Sequence, residues 1–352
     1  TTVGHRVHSP ASFELASADE YVAELAKMGV MVDPDARRAE IDALATTLAE
    51  EAGGRVHPDP ALMAEHVELV EWPGLLAGSF ADRYLELPSE VVVTTLRYHQ
   101  KCLELEDENG GLKSGFIAVA DRRDDPEGLV LQGNEWVIGA RLADAEFFFN
   151  EDRKKRLNDL VPELGRLEFH RVLGTLEDKA VRVADVASAV ADAIDSGVDR
   201  DALSGAAGLA KADLLTNMVV EFPELQGIMG GHYLRLEGEV EELWSAVGDH
   251  YLPVGFDGAI PRSEIGRLVG VADRLDTVAG LFAVGERPSG SKDPFGLRRA
   301  AQGAVKIAVQ SSWPLDLKTA IAVATSGVTK FSEDDEGCLL YTSDAADDAS
   351  SV

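Results

Sequence analysis

The sequence predicts an α+β protein: a mixed α/β N-terminal region followed by an all-helical domain. Three observations carry this. Strand-like stretches and helix formers alternate up to about residue 128. From 168 to 310 the strand signals vanish and helical periodicity dominates. Between them, Leu131–Phe149 reads as one long helix with apolar residues on more than one side (Val137, Ile138, Leu142, Phe147, Phe148, Phe149), as expected of a helix buried between layers. The expected organisation is an α+β region over 1–128, a connecting helix over 129–167, a helical domain over 168–325 and a disordered tail over 326–352.

In chain order, residues 1–16 look extended. Two helices are expected over 18–53, the second rich in helix formers and stopped by Gly53-Gly54. A third is expected over 60–70. Strand-like pieces follow at Val67–Trp72, Leu75–Phe80 and Tyr84–Leu87, then a helix from Pro88 to Leu96 with Ser89 as N-cap. Tyr98–Leu105 and Gly115–Ala120 read as strands joined by a hairpin-like turn at Glu106–Gly111. Further helices are expected near 176–195, 200–220, 238–248, 262–281 and 294–311. The segment Lys211–Tyr233 reads as a helix, a turn at Phe222-Pro223 and a second helix, with Gly227, Gly230 and Gly231 allowing close packing. Residues 338–352 resemble translated sequencing-adapter read-through rather than natural protein, and are excluded from the fold expectation.

Composition narrows the function. The 352 residues carry 33 Lys+Arg against 62 Asp+Glu, a net charge of −29. A generic nucleic-acid binder would be basic, so any such contact must be a local basic cluster. The bland reading of the charge is an acid-biased, solvated surface. Two cysteines, Cys102 and Cys338, argue against a disulfide scaffold or a cysteine-based zinc site and fit a reducing compartment. No basic and apolar leader is visible, and no apolar run reaches membrane-span length, so a cytoplasmic protein without a membrane partner is expected.

Candidate chemistry is sparse. Ser289-Gly-Ser-Lys292 lacks the spacing of an NTPase phosphate loop, although it could offer backbone N–H groups to one phosphate where the next helix begins near Pro294. The eight histidines (5, 8, 57, 66, 99, 170, 232, 250) show no metal-binding pair. His170, Asp213, His232, His250 and Asp273 in a helical domain suggest a metal-dependent phosphohydrolase of the HD type. That chemistry needs an adjacent His-Asp pair, and here the pair is Ala212-Asp213. Lys292, Arg298 and Arg299 near a helix start form the one local basic cluster singled out, suited to phosphates. The competing reading pairs Arg298 and Arg299 with Asp273, Asp276 or Glu286.

Several long stretches together resemble one family. They are His99–Cys102, Gly133–Phe149, Leu173–Lys179, Lys211–Gly230, Asp249–Pro253, Ala272–Thr277 and Gly290–Arg299, in the family's order, covering about residues 1–325. The sequence resembles the β subunit of bacterial heterotetrameric glycyl-tRNA synthetase, as a central fragment. The resemblance implies a non-catalytic subunit that binds tRNA(Gly) and assembles with the catalytic α subunit as an α2β2 tetramer. It implies an HD-like helical domain without metal ligands and no catalytic residue on this chain. ATP and Mg would be used by the holoenzyme and bound elsewhere. Lys292, Arg298 and Arg299 become the candidate tRNA contacts, and the HD-type phosphohydrolase remains the alternative. Glu221, Glu224 and Gln226 are then read as packing or contact residues.

Overall fold

A computed structural model describes residues 1–328. They divide into two compact units, Thr1–Asn150 and Glu151 onward. The fold is α+β. The tail expected from 326 lies outside the described residues beyond Val328, as does the proposed read-through segment.

The first unit is built on a four-stranded antiparallel sheet. Its strands are β3 (Arg55–Val56), β4 (Gly74–Ser79), β5 (Leu103–Glu106) and β6 (Leu112–Ala120), in the order β3-β5-β6-β4. A small hairpin of β1 (Thr2–Val3) and β2 (Ser12–Phe13) precedes it. Between them lie α1 (Tyr21–Lys27) and α2 (Pro34–Glu51), and after β3 comes α3 (Pro60–Leu69). The helix starts are chemically explicit. Asp33 caps α2 through the Asp35 N–H, and Asp59 caps α3 through Ala61 and Leu62, each just before a Pro that needs no N–H partner. Ile41, Ala45 and Ala49 recur along one face of α2 and meet Leu62, Met63 and Val67 of α3 and Leu103, Leu105 and Ile117 of the sheet.

Two strand expectations fail here, and a third strand starts late. Val67 closes the apolar stripe of α3 instead of starting a strand. Tyr84 sits buried in a 3-10 turn, Asp82–Glu86. After α4 (Ser89–Thr94) the chain makes a π-helical turn, Thr95–His99, so β5 starts only at Leu103. The long helix α5 (Leu129–Asp152) forms, but its buried residues are only Ile138, Leu142, Ala145 and Phe149, a single stripe. Trp136 is 74% exposed and Phe147 59% exposed, so α5 is not sandwiched between layers as expected.

The second unit is helical, apart from a hairpin of β7 (Glu168–His170) and β8 (Gly174–Thr175) that the sequence reading missed. Thr175 and Asp178 form a capping box that starts α6 (Leu176–Ala193). The expected 200–220 helix breaks into α7 (Arg200–Leu209), a 3-10 turn at Ala212–Leu215 and the short α8 (Asn217–Glu221). Next come α9 (Ile228–Leu236), α10 (Glu241–Asp249), α11 (Glu264–Ala283), α12 (Leu297–Gln310) and α13 (Leu317–Ser326). The centre is α11, packed by α6, α7, α10, α12 and α13. Leu268, Val269 and Ala272 of α11 meet Val183, Val186 and Val190 of α6, Leu203 and Ala206 of α7, and Ile307 of α12. Because α11 is surrounded, three of its charged residues, Asp273, Arg274 and Asp276, are carried inside with its apolar ones. Among the described residues no helix is long and apolar enough to cross a membrane.

Candidate functional site

The interior of the helical unit holds a chain of charges centred on α11. Asp273, Arg274 and Asp276 are all buried. A buried charge is costly unless paired or fully hydrogen-bonded: the two aspartates are paired, and Arg274 is hydrogen-bonded. The Asp276 carboxylate receives Lys179 Nζ at 2.9 Å and Arg182 Nε at 2.6 Å, both from α6. Asp273 lies between two ammonium groups: Lys179 Nζ is 3.1 Å from Oδ1 and Lys211 Nζ is 2.9 Å from Oδ2. Burial alone would raise the Asp273 carboxyl; Lys179 and Lys211 outweigh it and hold it well below the usual carboxylate range. Arg274 donates to the backbone carbonyls of His250, Gly270 and Tyr251.

His250 closes this network. Its Nδ1 lies 2.7 Å from the Val247 carbonyl and its Nε2 lies 3.0 Å from Lys211 Nζ. A carbonyl can only accept, so Nδ1 carries the hydrogen and Nε2 offers its lone pair to the lysine. Burial, reinforced by Lys211, pushes the imidazole pKa down to about 3. His250 is therefore neutral at physiological pH.

The Lys211–Tyr233 corner abuts this centre. Ala212 is buried, so the neighbour of Asp213 brings no metal-binding nitrogen to the interior. Asp213 Oδ2 accepts the backbone N–H groups of Gly227 at 2.5 Å and Gly230 at 3.0 Å, which pins the start of α9. Its Oδ1 is buried without a hydrogen-bond partner. Burial raises the Asp213 carboxyl to about 6 against the pull of those two N–H groups. Asp152, at the end of α5, fastens the same corner. It accepts the N–H groups of Asn217 and Met218, the Asn217 side-chain amide and the Tyr233 hydroxyl.

Among the described residues, the group with metal-ligand spacing is elsewhere, at His5, Glu71 and Asp121 in the first unit. There His5 Nδ1 accepts the N–H groups of Val7 and His8, which leaves Nε2 to donate to Asp121 Oδ1 at 3.1 Å. The same oxygen accepts the Glu71 N–H at 2.7 Å. These bonds already satisfy the ligand atoms of His5 and Asp121.

Lys292, Arg298 and Arg299 are all exposed, around the start of α12. Asp273 and Asp276, offered as partners for the two arginines, are engaged by Lys179, Arg182 and Lys211 instead. The expectation of free backbone N–H groups at this helix start needs correction. The Asp293 carboxylate accepts the N–H groups of Leu297 at 2.8 Å and Arg298 at 3.0 Å. The N–H and carbonyl of Ser289 bond those of Lys292 across the preceding turn. With the Leu297 and Arg298 N–H groups taken, the exposed cations at this end are the side chains of Lys292, Arg298 and Arg299.

The comparisons with known proteins decide the family. The family model described as glycyl-tRNA synthetase beta subunit matches residues 1–347. The chain belongs to the glycyl-tRNA synthetase β-subunit family. It is 45% identical over 321 residues to the glycine–tRNA ligase beta subunit of Anaeromyxobacter dehalogenans strain 2CP-C, covering 91% of this chain and 46% of the relative. The corresponding subunits of Pectobacterium carotovorum and Chromohalobacter salexigens are each 43% identical, over 91% and 93% of this chain and 46% and 47% of theirs. The chain thus spans about half the length of the curated relatives it matches. Within this β-subunit family framework, sequence reasoning missed Lys179, Arg182 and Lys211 as buried partners, and Asp152. A signal existed for α6: Lys179 and Arg182 fall on the stripe that includes Val183, Val186 and Val190. A cation on an apolar stripe calls for a buried anion.

Proposed function

We propose that the chain is part of a non-catalytic β subunit of glycine–tRNA ligase, which binds tRNA(Gly) and assembles with a catalytic α subunit as an α2β2 tetramer in the cytoplasm. The whole enzyme joins glycine to tRNA using ATP and Mg, and the α subunit carries that active site. Family membership over the full described length is the observation that carries this reading. The interior geometry supports it: the carboxylate that an HD-type hydrolase would turn toward metal, Asp273, is neutralised by Lys179 and Lys211. In this reading Lys292, Arg298 and Arg299 contribute tRNA phosphate contacts.

The test is aminoacylation with purified components. Full-length β subunit mixed with α subunit, ATP, glycine and tRNA should charge tRNA, and α subunit alone should charge it far less. Equal charging by α alone would sink the proposed role. Release of phosphate from nucleotides by the β subunit alone, dependent on added divalent metal, would favour the phosphohydrolase.

A further inference from the structure

The Lys211 ammonium is enclosed in the manner of a bound ion. Its Nζ is 2.9 Å from Asp273 Oδ2, 3.0 Å from His250 Nε2 and 3.8 Å from the centroid of the Tyr251 ring. The three walls come from different places: Asp273 from α11, and His250 and Tyr251 from the turn that ends α10. The lysine itself enters from the joint after α7. A carboxylate, an imidazole lone pair and an aromatic face are three ways of attracting a positive charge, here converging on one atom. The His250 lone pair is available because the Val247 carbonyl holds the ring's hydrogen on the opposite nitrogen. Without a cation at this point, Asp273 Oδ2 and His250 Nε2 would be two buried acceptors that have lost their shared donor.

We propose that Asp273, His250 and Tyr251 form a binding cage for a single ammonium-type cation, and that the Lys211 side chain is its built-in occupant, clamping the joint after α7 to α10 and α11. The cage selects for charge and N–H donors, not for the hydrocarbon stem of lysine. A buried ion pair whose removal leaves an uncompensated partner behaves differently from one replaced as a whole by apolar groups. In the cage, truncating Lys211 leaves both Asp273 Oδ2 and His250 Nε2 without their donor. A free small ammonium that restores the missing atoms should then restore the fold's stability.

The experiment is chemical rescue in the full-length β subunit. Lys211→Ala removes three carbons and the ammonium, the outline of n-propylammonium. Its melting temperature should fall by about 5–10 °C. Roughly 50 mM propylammonium chloride should recover at least half of that loss by mass action on the folded state. Propan-1-ol, of similar outline but neutral, and potassium chloride at matched ionic strength should recover none, and the wild type should not respond. Equal recovery by propanol or by potassium chloride would overturn the cage. If Lys211→Ala does not fold, Lys211→Met decides. It keeps the stem and loses the charge, so it must melt below wild type; melting at or above wild type would overturn the proposal. In the wild type, nitrogen NMR should show His250 neutral with its hydrogen on Nδ1, and the opposite tautomer would also overturn it.

Discussion

Asp213 and Gly230 are in direct contact: the buried carboxylate accepts the glycine N–H at 3.0 Å, and a Cβ on Gly230 would lie 3.3 Å from Asp213 Cγ and 2.9 Å from Val247 Cγ1. The bond that starts α9 therefore requires that nothing project from residue 230. Gly230→Val should destabilise the β subunit by about 2–4 kcal/mol, since the helix must back away from its own anchor. Denaturant unfolding checks this. An unchanged midpoint with lost charging would instead assign the corner a direct functional role.

Gly227 has a second reason to be glycine. It sits at φ +80°, and a Cβ there would lie 2.7 Å from the Tyr251 ring. Gly227→Ala should cost about 1–3 kcal/mol from backbone strain and the displaced ring. A melting curve superimposable on wild type would show that the turn relaxes freely.

The pH dependence of stability has a predictable sign. The Asp213 carboxyl titrates near 6 when folded, above the ordinary value near 4 of the unfolded chain. Between those values the folded state binds more protons, so Asp213 makes stability fall as pH rises through about 6 and adds no slope above it. Asp213→Asn should remove that slope. His250 acts oppositely: its folded pKa of about 3 lies below the unfolded value near 6.5, so its contribution is complete above that value and is lost as pH falls. Unfolding free energies of wild type minus Asp213→Asn, measured from pH 4 to 7, isolate the first effect. The difference should change by roughly 1–3 kcal/mol across the range. A flat difference would contradict the raised pKa.

Asp152 gathers four donors from Asn217, Met218 and Tyr233. Asp152→Ala should cost about 2–4 kcal/mol, and Tyr233→Phe about 1 kcal/mol, because the first orphans several donors and the second removes one bond. A double-mutant cycle should give a coupling near the smaller value. Strict additivity would show that the Tyr233 hydroxyl does not depend on Asp152.

Arg298 and Arg299 are exposed, and Asp293 already occupies the helix start beside them. Arg298→Glu/Arg299→Glu should leave the melting temperature of the full-length subunit unchanged. On the proposed function, it should weaken tRNA binding and make the slope of log affinity against log salt less negative by roughly 0.7–0.9 for each phosphate that is no longer neutralised. Filter binding at several salt concentrations measures both. Unaltered affinity and slope would remove these residues from the tRNA surface.

Legibility from sequence followed locality. Asp33-Pro34, Asp59-Pro60 and the Thr175–Asp178 pair announce helix starts within four residues, and the observed α2, α3 and α6 begin there. The helical character of the second unit was legible for the same reason, in the 3.6-residue stripes of α6 and α11. Val67, Tyr84 and the 200–220 stretch misled because β-branched or aromatic composition, or a run of helix formers, was overruled by partners far away. Asp213, for one, accepts the N–H groups of Gly227 and Gly230, 14 and 17 residues further on. In the candidate site, the missing imidazole at Ala212 could be read directly. That Lys179 and Lys211 converge on Asp273 could not, because 94 and 62 residues separate those pairs.

Asp121 joins the beginning of the first unit to its last strand: His5 reaches it across 116 residues. During synthesis at about 5–20 residues per second, His5 waits roughly 6–25 s before its carboxylate is made. Until then β1 and β2, two residues each, have little apolar surface of their own to hold them. The segment that carries His5 is thus secured only once the strand before Asp121 has been made. Nascent chains halted before residue 121 should expose residues 1–13 to protease, and chains released beyond it should protect them.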